Sequence, residues 1–213
     1  MNKFFLPALL AVSLLGAAPA SAQKKAKTTS TQAASAAAYQ LQPQLSTLGW
    51  EGKKVTGAHN GTMQFQSGAV AVRGSQITGG KFVVDMNSLK VEDIKDADSN
   101  GKLVGHLRSD DFFSIDKNAT STFTITSITP LRGDAKGNNS TITGDLTIKG
   151  ITQRISFPAK TGVKGGVASA TGVATIDRTK FDIKYGSKSF FESIGDKAIM
   201  DEFMLSFNVI AKK

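Results

Sequence analysis

The feature that most constrains this sequence is an alternation of apolar and polar residues with a period of two. In "STITGDLTIKG", Ile142, Gly144, Leu146 and Ile148 share one face, and polar side chains, mostly threonine, occupy the other. The same pattern recurs in "STFTITSI", "RISFPA", "GKFVVDMNSL" and "MDEFMLSFNVIAKK". Successive side chains of a β-strand point to opposite faces, so this period is that of a half-buried strand. We therefore predict a chain built mainly of β-strands.

Turn signals between these segments indicate how the strands are connected. Glycine-containing pairs such as Gly79-Gly80 and Gly165-Gly166 recur every ~10 residues. This spacing leaves no room for the helices that join parallel strands. The sequence predicts an all-β fold, a closed antiparallel barrel of about eight strands.

Two segments of the chain favour a short helix or irregular structure instead of a strand. They are residues 99–109, where Leu103 and Leu107 share a face, and residues 188–198, just before the last strand. Gly101 and Gly105 weaken the first of these helices. The barrel is therefore expected to carry one or two short helices.

The same alternation fits a soluble barrel with an apolar lumen and a membrane barrel with an apolar outer surface. Membrane barrels carry girdles of tyrosine and tryptophan at both interfaces. This chain has one tryptophan and two tyrosines. Composition therefore favours the soluble barrel, without stable insertion into a membrane.

The N-terminus predicts export. A single lysine at position 3, an apolar run over residues 4–15 and Ala20-Ser21-Ala22 together form a secretory signal peptide, residues 1–22, cut after Ala22. Residues 23–38 are rich in Ala, Ser, Thr and Lys and are interpreted as a flexible linker. The folded domain is then residues 39–213, and the expected location is the periplasm or the exterior.

Composition excludes several function classes. The chain has no cysteine, which excludes disulfides, thiolate metal sites and cysteine nucleophiles. The formal net charge is +9. Without Lys3, Lys24, Lys25 and Lys27 the domain keeps 22 basic and 17 acidic residues, a net charge of +5. No dense basic run occurs, so nucleic acid is not an expected partner.

The stretch "DADSNGKLVGHLRSDDFF" invites a metal or catalytic interpretation. Asp96, Asp98 and Asn100 match the first, third and fifth positions of an EF-hand loop. The twelfth position requires a bidentate glutamate, and Leu107 stands there. His106 lies near two aspartates, but no G-x-S-x-G motif supplies a nucleophilic serine. We predict neither a metal site nor a cofactor nor a catalytic residue, and a hydrolase using His106 stays as the weaker alternative.

The phenylalanines and leucines of the alternating faces are candidates for the wall of an apolar cavity. Gly144, Gly172 and the alanines of "VASATGVAT" would leave room inside the barrel. The predicted lining residues are Phe65, Phe82, Phe123, Leu146, Phe157, Phe203, Leu205 and Phe207. The residues predicted for the barrel mouth, where a polar headgroup would sit, are Trp50, His106, Arg108, Phe112, Phe113 and Arg178.

Several motifs together resemble the YceI-like family. They are "GHLRSDDFFSIDKNATSTFTITSI", "ITGDLTIKGITQRISFPA", "TIDRTKFDIKYGS", "MDEFMLSFNVIAKK" and the opening "STLGWEGKKVTGAHNGTMQF", in order over about residues 39–212. One departure is Asp182, where the family often has glycine, which puts the local strand geometry near Phe181 in doubt. The resemblance implies a lipocalin-like barrel that binds a polyisoprenoid or another long-chain lipid and is not an enzyme.

Two functions from different classes stay open at this point. The first is an exported binding protein that holds a long-chain amphipathic lipid, such as a polyisoprenoid, quinone or fatty-acid derivative. The second is a structural or stress-related module whose barrel is filled by its own side chains. The sequence leaves the oligomeric state open, including a dimer.

Overall fold

A computed structural model of the protein describes residues 35–192 and 195–213. Within those residues the chain forms nine β-strands and one α-helix. They are β1 Ala37–Leu41, β2 Thr47–Lys54, β3 Gly57–Arg73, β4 Gln76–Val91, α1 Ala97–Arg108, β5 Thr120–Pro130, β6 Ser140–Ile148, β7 Ile151–Lys164, β8 Val167–Asp177 and β9 Ile199–Lys212. The predicted signal peptide and residues 23–34 of the predicted linker lie outside the described residues. The linker's last two residues, 37 and 38, belong to β1.

The strands close into an antiparallel barrel. Neighbours follow the order β3, β2, β9, β8, β7, β6, β5 and β4, and β4 pairs back with β3. The short β1 pairs with the second half of β3 and with the end of β9, so it continues the line of β2 beyond a 3₁₀ turn at Pro43–Leu45. Nine strands therefore occupy eight positions, and the predicted eight-stranded antiparallel barrel is confirmed.

The period-two alternation of the sequence becomes the inside and outside of the barrel wall. In β6, Ile142 and Leu146 are buried, while Thr143 and Thr147, the residues that follow them, are partly exposed. Antiparallel pairing places Leu146 opposite Phe123 of β5. Burying such side chains on one shared face removes apolar surface from water and so sets the register of each strand.

One end of the barrel carries the helix and the longer connections. We call it the helical end, defined by residues 55–56, 92–119, 149–150 and 178–198. Helix α1 begins after Asp96, whose carboxylate accepts a hydrogen bond from the Ser99 backbone N–H at 2.8 Å. Its Leu107 is buried against the barrel, as the helix prediction for residues 99–109 requires.

The second segment predicted to be helical or irregular, residues 188–198, is irregular in the part that the structure describes. That part forms turns and a short 3₁₀ segment, Gly195–Lys197. Gly195 has a φ of 54°, in the left-handed region that an α-helix does not use. Phe190 and Phe191 are about half exposed, so no apolar face holds the segment as a helix.

None of the helices in the described ranges combines the length and the apolar character that crossing a membrane would require.

Candidate functional site

The barrel encloses a large apolar cavity. Its empty space is about 1110 Å³, counted together with the open solvent at its margin. Of the lining side chains only Ser121, Thr122, Thr161 and Ser169 are polar. Small-molecule sites are mostly apolar with few polar groups, and this cavity has the same character. Its wall offers a ligand almost only dispersion contacts.

The structure places all eight residues predicted for the lining around this cavity. They come from six strands, and they are Phe65, Phe82, Phe123, Leu146, Phe157, Phe203, Leu205 and Phe207. Sequence reasoning did not assign other members of the wall, such as Met63 and Ile77. Ile77 lies at the start of its strand, where the alternation gave no distinct signal.

The phenylalanines of the wall pack on one another in a continuous row. The ring centroids of Phe123 and Phe157 are 5.6 Å apart, and those of Phe157 and Phe207 are 5.4 Å apart. Tilted and edge-to-face pairs at this distance add ~0.5–1.5 kcal/mol to the burial of the rings. The row therefore stiffens the wall on one side of the cavity.

Two glycines predicted to leave room in the cavity instead make room for this row. A Cβ at Gly144 would overlap the ring of Phe123, and one at Gly172 would lie 2.8 Å from Phe207 Cζ. The space opposite these glycines is therefore occupied by phenylalanine. Ala168, Ala170 and Ala174 do line the cavity, as "VASATGVAT" suggested.

A second, smaller apolar cavity lies toward the helical end, with an empty space of about 550 Å³ when the open solvent at its margin is included. Its wall is Trp50, Gly52, Met63, Leu89, Leu107, Phe112, Phe113, Arg178, Ile183, Ile199, Met200 and Phe203. Three of these side chains, Met63, Phe113 and Phe203, also line the large cavity. They form the partition between the two spaces. Four of the predicted mouth residues line this smaller cavity: Trp50, Phe112, Phe113 and Arg178.

Trp50 reaches across a neighbouring strand to close the smaller cavity. Its indole Nε1 donates a hydrogen bond to the Lys90 carbonyl of β4 at 3.1 Å, passing over Gly61 of β3. A Cβ at Gly61 would lie 2.8 Å from that indole nitrogen and would overlap the Lys90 carbonyl. Gly61 is therefore needed for the close approach of Trp50 and β4.

Arg178, predicted to meet a headgroup, is buried and bonded to the protein's own backbone. The side chain is 4% exposed. Nε donates to the Met200 carbonyl at 3.0 Å, Nη1 to the carbonyls of Ile183 and Tyr185 at 2.8 and 2.9 Å, and Nη2 to the Ile199 carbonyl at 3.0 Å. Nη2 also lies 3.5 Å from Asp201 Oδ1, at ion-pair distance without a hydrogen bond. Four of the five N–H donors of the guanidinium therefore bind backbone carbonyls.

Burial and charge act in opposite directions around Arg178. Burial lowers the pKa of Arg178, and the carboxylates of Asp201 and Asp177 oppose that shift. Burial also works against ionised Asp201, but hydrogen bonds from Ser187 and Ser189 and the charge of Arg178 outweigh it and lower the pKa of Asp201. The Ser189 hydroxyl donates to Asp201 Oδ2 at 2.5 Å. This polar cluster ties the β8–β9 connection to the start of β9.

His106 and Arg108, also predicted for the mouth, line neither cavity. The His106 ring stands edge-on to Phe112 and Tyr185, with centroid distances of 5.0 and 4.5 Å. Arg108 Nη2 donates to Asn87 Oδ1 of β4 at 2.9 Å. Arg108 thus joins α1 to β4, and His106 packs α1 against the β8–β9 connection. The headgroup role of both residues stays a prediction.

The residues of the calcium-like motif serve the helix and its neighbours. Asp96 caps α1, and Asn100 Nδ2 donates to the carbonyls of Val91 and Ile94, each at 2.9 Å. The other histidine, His59, contacts Asp93 Oδ2 through Nδ1 at 2.8 Å. Over residues 35–192 and 195–213, no three His, Asp or Glu side chains come together as metal ligands would.

The fold and the site define a closed antiparallel β-barrel around a large apolar cavity. The sequence model of the YceI-like domain matches residues 39–211 of this chain. The protein therefore belongs to the YceI-like family.

Curated relatives match a shorter part of the chain. A UPF0312 protein of Pseudomonas paraeruginosa is 36% identical over 85 residues, which are 37% of this chain and 42% of that protein. A UPF0312 protein of Pseudomonas aeruginosa matches with the same identity and extent. The matched region thus spans less than half the length of these relatives.

Solved structures share the fold at low sequence identity. BcnA of Burkholderia cenocepacia has a TM-score of 0.54 and 21% identity, covering 81% of this chain and 99% of its own. A polyisoprenoid binding domain from Saccharophagus degradans has a TM-score of 0.55 and 15% identity, covering 82% of this chain and 97% of its own. At such identities the likeness establishes the barrel fold.

Proposed function

We propose that this chain is an exported binding protein that holds a long-chain amphipathic lipid inside its barrel. The observation that carries the proposal is the large cavity of about 1110 Å³, counted with the open solvent at its margin, with its nearly continuous apolar wall. A barrel filled by its own side chains, the structural alternative, would not keep such a space. The structural likeness to a polyisoprenoid binding domain supports a polyisoprenoid as the class of lipid.

The energetics of the cavity suit an extended hydrocarbon chain. Each methylene group that leaves water contributes ~0.8 kcal/mol, so ten buried groups contribute ~8 kcal/mol. The loss of translational and rotational freedom costs ~4–15 kcal/mol, so tight binding needs a long chain rather than a short one. We expect Phe65, Phe157 and Phe207 to contact the bound chain, together with the other predicted lining residues.

Binding without catalysis is the chemistry that the site supports. His106, the one residue weighed as a catalytic base, lies between two aromatic rings outside both cavities. The side chains around the cavity are apolar apart from Ser121, Thr122, Thr161 and Ser169. The proposal therefore includes no reaction step.

Native mass spectrometry of the protein purified from its own cells tests the proposal. We expect a co-purifying lipid that is released on denaturation. The intact mass of the protein should be that of a chain beginning at Gln23 if the signal peptide is cut after Ala22. A protein that carries no lipid after mild purification and has no affinity for added polyprenol would contradict the proposal.

A matched pair of variants on β8 sharpens this test. Ala170 lines the cavity, whereas Val173 on the same strand is 49% exposed. The ring of Ala170→Phe would displace about three methylene groups of a bound chain and weaken polyprenol binding by roughly 50-fold. Val173→Phe should leave binding unchanged. Equal affinities of the two variants would contradict a ligand inside the barrel.

A further inference from the structure

The end of the barrel opposite to the helical end carries a concentration of positive charge. It comprises the β3–β4 turn, the β5–β6 connection, the β7–β8 turn and the end of β9. Six exposed basic residues lie there, and we call this surface the basic end: Arg73, Arg132, Lys136, Lys164, Lys212 and Lys213. The single acidic side chain among these connections and bordering residues is Asp134.

The helical end differs sharply from the basic end in charge. Its connections, with the strand residues that border them, hold eleven basic and eleven acidic residues. Several of these are paired, such as Lys117 with Asp110 at 2.7 Å and Lys184 with Asp182 at 2.7 Å. At the basic end, by contrast, none of the six cationic side chains makes an ion pair with another residue that the structure describes.

Asp134 does not offset this charge by pairing. Its Oδ2 accepts hydrogen bonds from the backbone N–H groups of Lys136 and Asn138 at 2.9 and 3.0 Å. Those bonds, first that from Asn138, lower the pKa of Asp134. The carboxylate is thus used to shape its own loop, and the lysine and arginine side chains around it extend into solvent.

The segments of the basic end form one contiguous surface. The Lys213 backbone N–H donates to the Gly166 carbonyl at 3.0 Å, and Lys212 lies opposite Val167 in the β8–β9 ladder. The β5–β6 connection contacts β7 through Asn139 Nδ2, which donates to the Thr161 carbonyl at 2.8 Å. Like charges at one end of the barrel repel one another, and an anionic surface would relieve that repulsion.

The large cavity extends to this end of the barrel. Its wall includes Ile77, the second residue of β4 after the β3–β4 turn, and Ala168, the second residue of β8 after the β7–β8 turn. Two of its few polar side chains, Thr161 and Ser169, belong to β7 and β8 near the same turns. A surface that faces the basic end would thus also face this end of the cavity.

We propose that the basic end docks on the surface of a lipid bilayer that contains anionic phospholipids. Each Lys or Arg near such a surface contributes ~1 kcal/mol, which is about fivefold in affinity. A single-stranded nucleic acid fits less well, because it needs aromatic side chains for its bases. The exposed aromatic residues of the described chain, Tyr185, Phe190 and Phe191, all lie at the helical end. The proposal stands on surface charge and does not require that the cavity be filled.

Co-sedimentation with vesicles tests this proposal on the full mature chain. We expect binding to vesicles of phosphatidylcholine and phosphatidylglycerol in equal parts, and none to phosphatidylcholine alone. Raising the salt concentration from about 0.05 M to about 0.5 M should abolish binding, because the screening length falls to a few ångström. Equal binding to both kinds of vesicle, or binding that resists salt, would overturn electrostatic docking.

Matched charge-neutralising variants assign the binding to one end of the barrel. The variant R132Q/K136Q/K164Q/K213Q should bind anionic vesicles at least 100-fold more weakly, at about fivefold for each charge. The control K54Q/K102Q/K188Q/K197Q removes four exposed lysines at or next to the helical end and should bind within about threefold of the wild type. The reverse ranking of the two variants would place the docking surface at the helical end and refute the proposal.

Two further measurements distinguish docking by the basic end from binding by the N-terminal segment and from affinity for nucleic acid. A chain with K24S/K25S/K27S should still bind, and loss of binding in it would assign the effect to the N-terminal segment and refute the proposal. Wild-type protein that binds a DNA oligonucleotide but not anionic vesicles would equally refute it. Polyprenol retention by R132Q/K136Q/K164Q/K213Q should match that of the wild type, so a failure of docking and a failure of lipid binding are told apart.

Discussion

The wall of the barrel and its helical end are stabilised in different ways. The wall consists of β-strands whose inward side chains are apolar and whose outward ones are largely polar, as in β6. The helical end consists of connections that surround one buried cation, Arg178, with four backbone carbonyls and a carboxylate. The stability of the wall depends on many similar contacts, whereas the stability of the helical end depends on a small number of contacts around Arg178.

This difference implies different responses to mutation. A wall position tolerates a change when its neighbours leave space for the new atoms, and each such contact contributes little. At the helical end the loss of one side chain leaves several buried carbonyls without a donor at once. Three predictions test this contrast, in order of decreasing effect.

The largest effect is expected at Arg178. Arg178→Met keeps most of the side-chain volume but removes all five donors, so four carbonyls and Asp201 lose their partner. The free energy of unfolding should fall by ~3–5 kcal/mol, the cost of breaking a buried charged network. Chemical denaturation followed by circular dichroism measures it.

The matched variant on the wall is Arg154→Met. Arg154 pairs with Asp145 at 3.0 Å, but its side chain is 65% exposed. An exposed ion pair adds little to stability, so this variant should unfold close to the wild type. Similar losses of unfolding free energy in the two arginine variants would contradict the difference between the helical end and the wall.

A moderate effect is expected where the wall is packed most tightly. The Cβ of Gly144→Ala would overlap the Phe123 ring and approach the Thr124 carbonyl, so the strands must shift. We expect a loss of ~1–3 kcal/mol, typical of an overpacked core. Thermal unfolding and denaturant titration measure this loss.

Gly162→Ala is the control for Gly144 in a neighbouring strand of the wall. Its new Cβ would meet only the Ser169 hydroxyl, at 3.8 Å. Alanine is better than glycine in a strand interior by ~0.5–1 kcal/mol, so this variant should be neutral or slightly more stable. A destabilised Gly162→Ala and an unaffected Gly144→Ala would show that the phenylalanine row does not constrain the wall.

The smallest effect is a pH dependence at the helical end. The pKa of Asp201 is lowered below its ordinary value of 3.8 in the folded protein. A carboxyl group with a lowered folded pKa stabilises above its unfolded pKa, and that contribution disappears as the pH falls through the folded pKa. Asp201→Asn should therefore be less stable than the wild type near neutral pH, by less than ~1 kcal/mol.

The deficit of Asp201→Asn should shrink as the pH is lowered below 3.8 toward the folded pKa. Denaturant titrations of both proteins across this range measure it. Ser189→Ala, which removes one hydrogen bond to Asp201, should weaken the pH dependence without abolishing it. A deficit that stays constant down to low pH would contradict the role of the ionised carboxylate.

The wall could be predicted from the sequence because its signal is local and repeated. The alternation in "MDEFMLSFNVIAKK" assigns Phe203, Leu205 and Phe207 to one face, and all three line the large cavity. A residue two positions along a strand returns to the same face whatever the neighbouring strands are. The inward set therefore follows from spacing alone.

The helical end could not be predicted in the same way. Arg178 resembles any charged residue after a strand, yet four of its N–H groups donate to carbonyls of residues up to 22 positions away. Gly144 likewise appears in the sequence only as a small residue. Its pairing with Ile125 of β5 brings the ring of Phe123, two residues earlier in that strand, into the space beside it. Such contacts depend on which segments meet, and no local period encodes that.

By itself the sequence determined the class of fold, the inward face of each strand and the apolar character of the lumen, because these follow from a period of two and from turns that favour antiparallel neighbours. Tertiary structure decided that Arg178 is buried and bonded to four carbonyls, that Met63, Phe113 and Phe203 separate two cavities, and that positive charge gathers at one end. Burial, cavities and charge clusters arise from groups distant in the chain, which only closure of the barrel brings together.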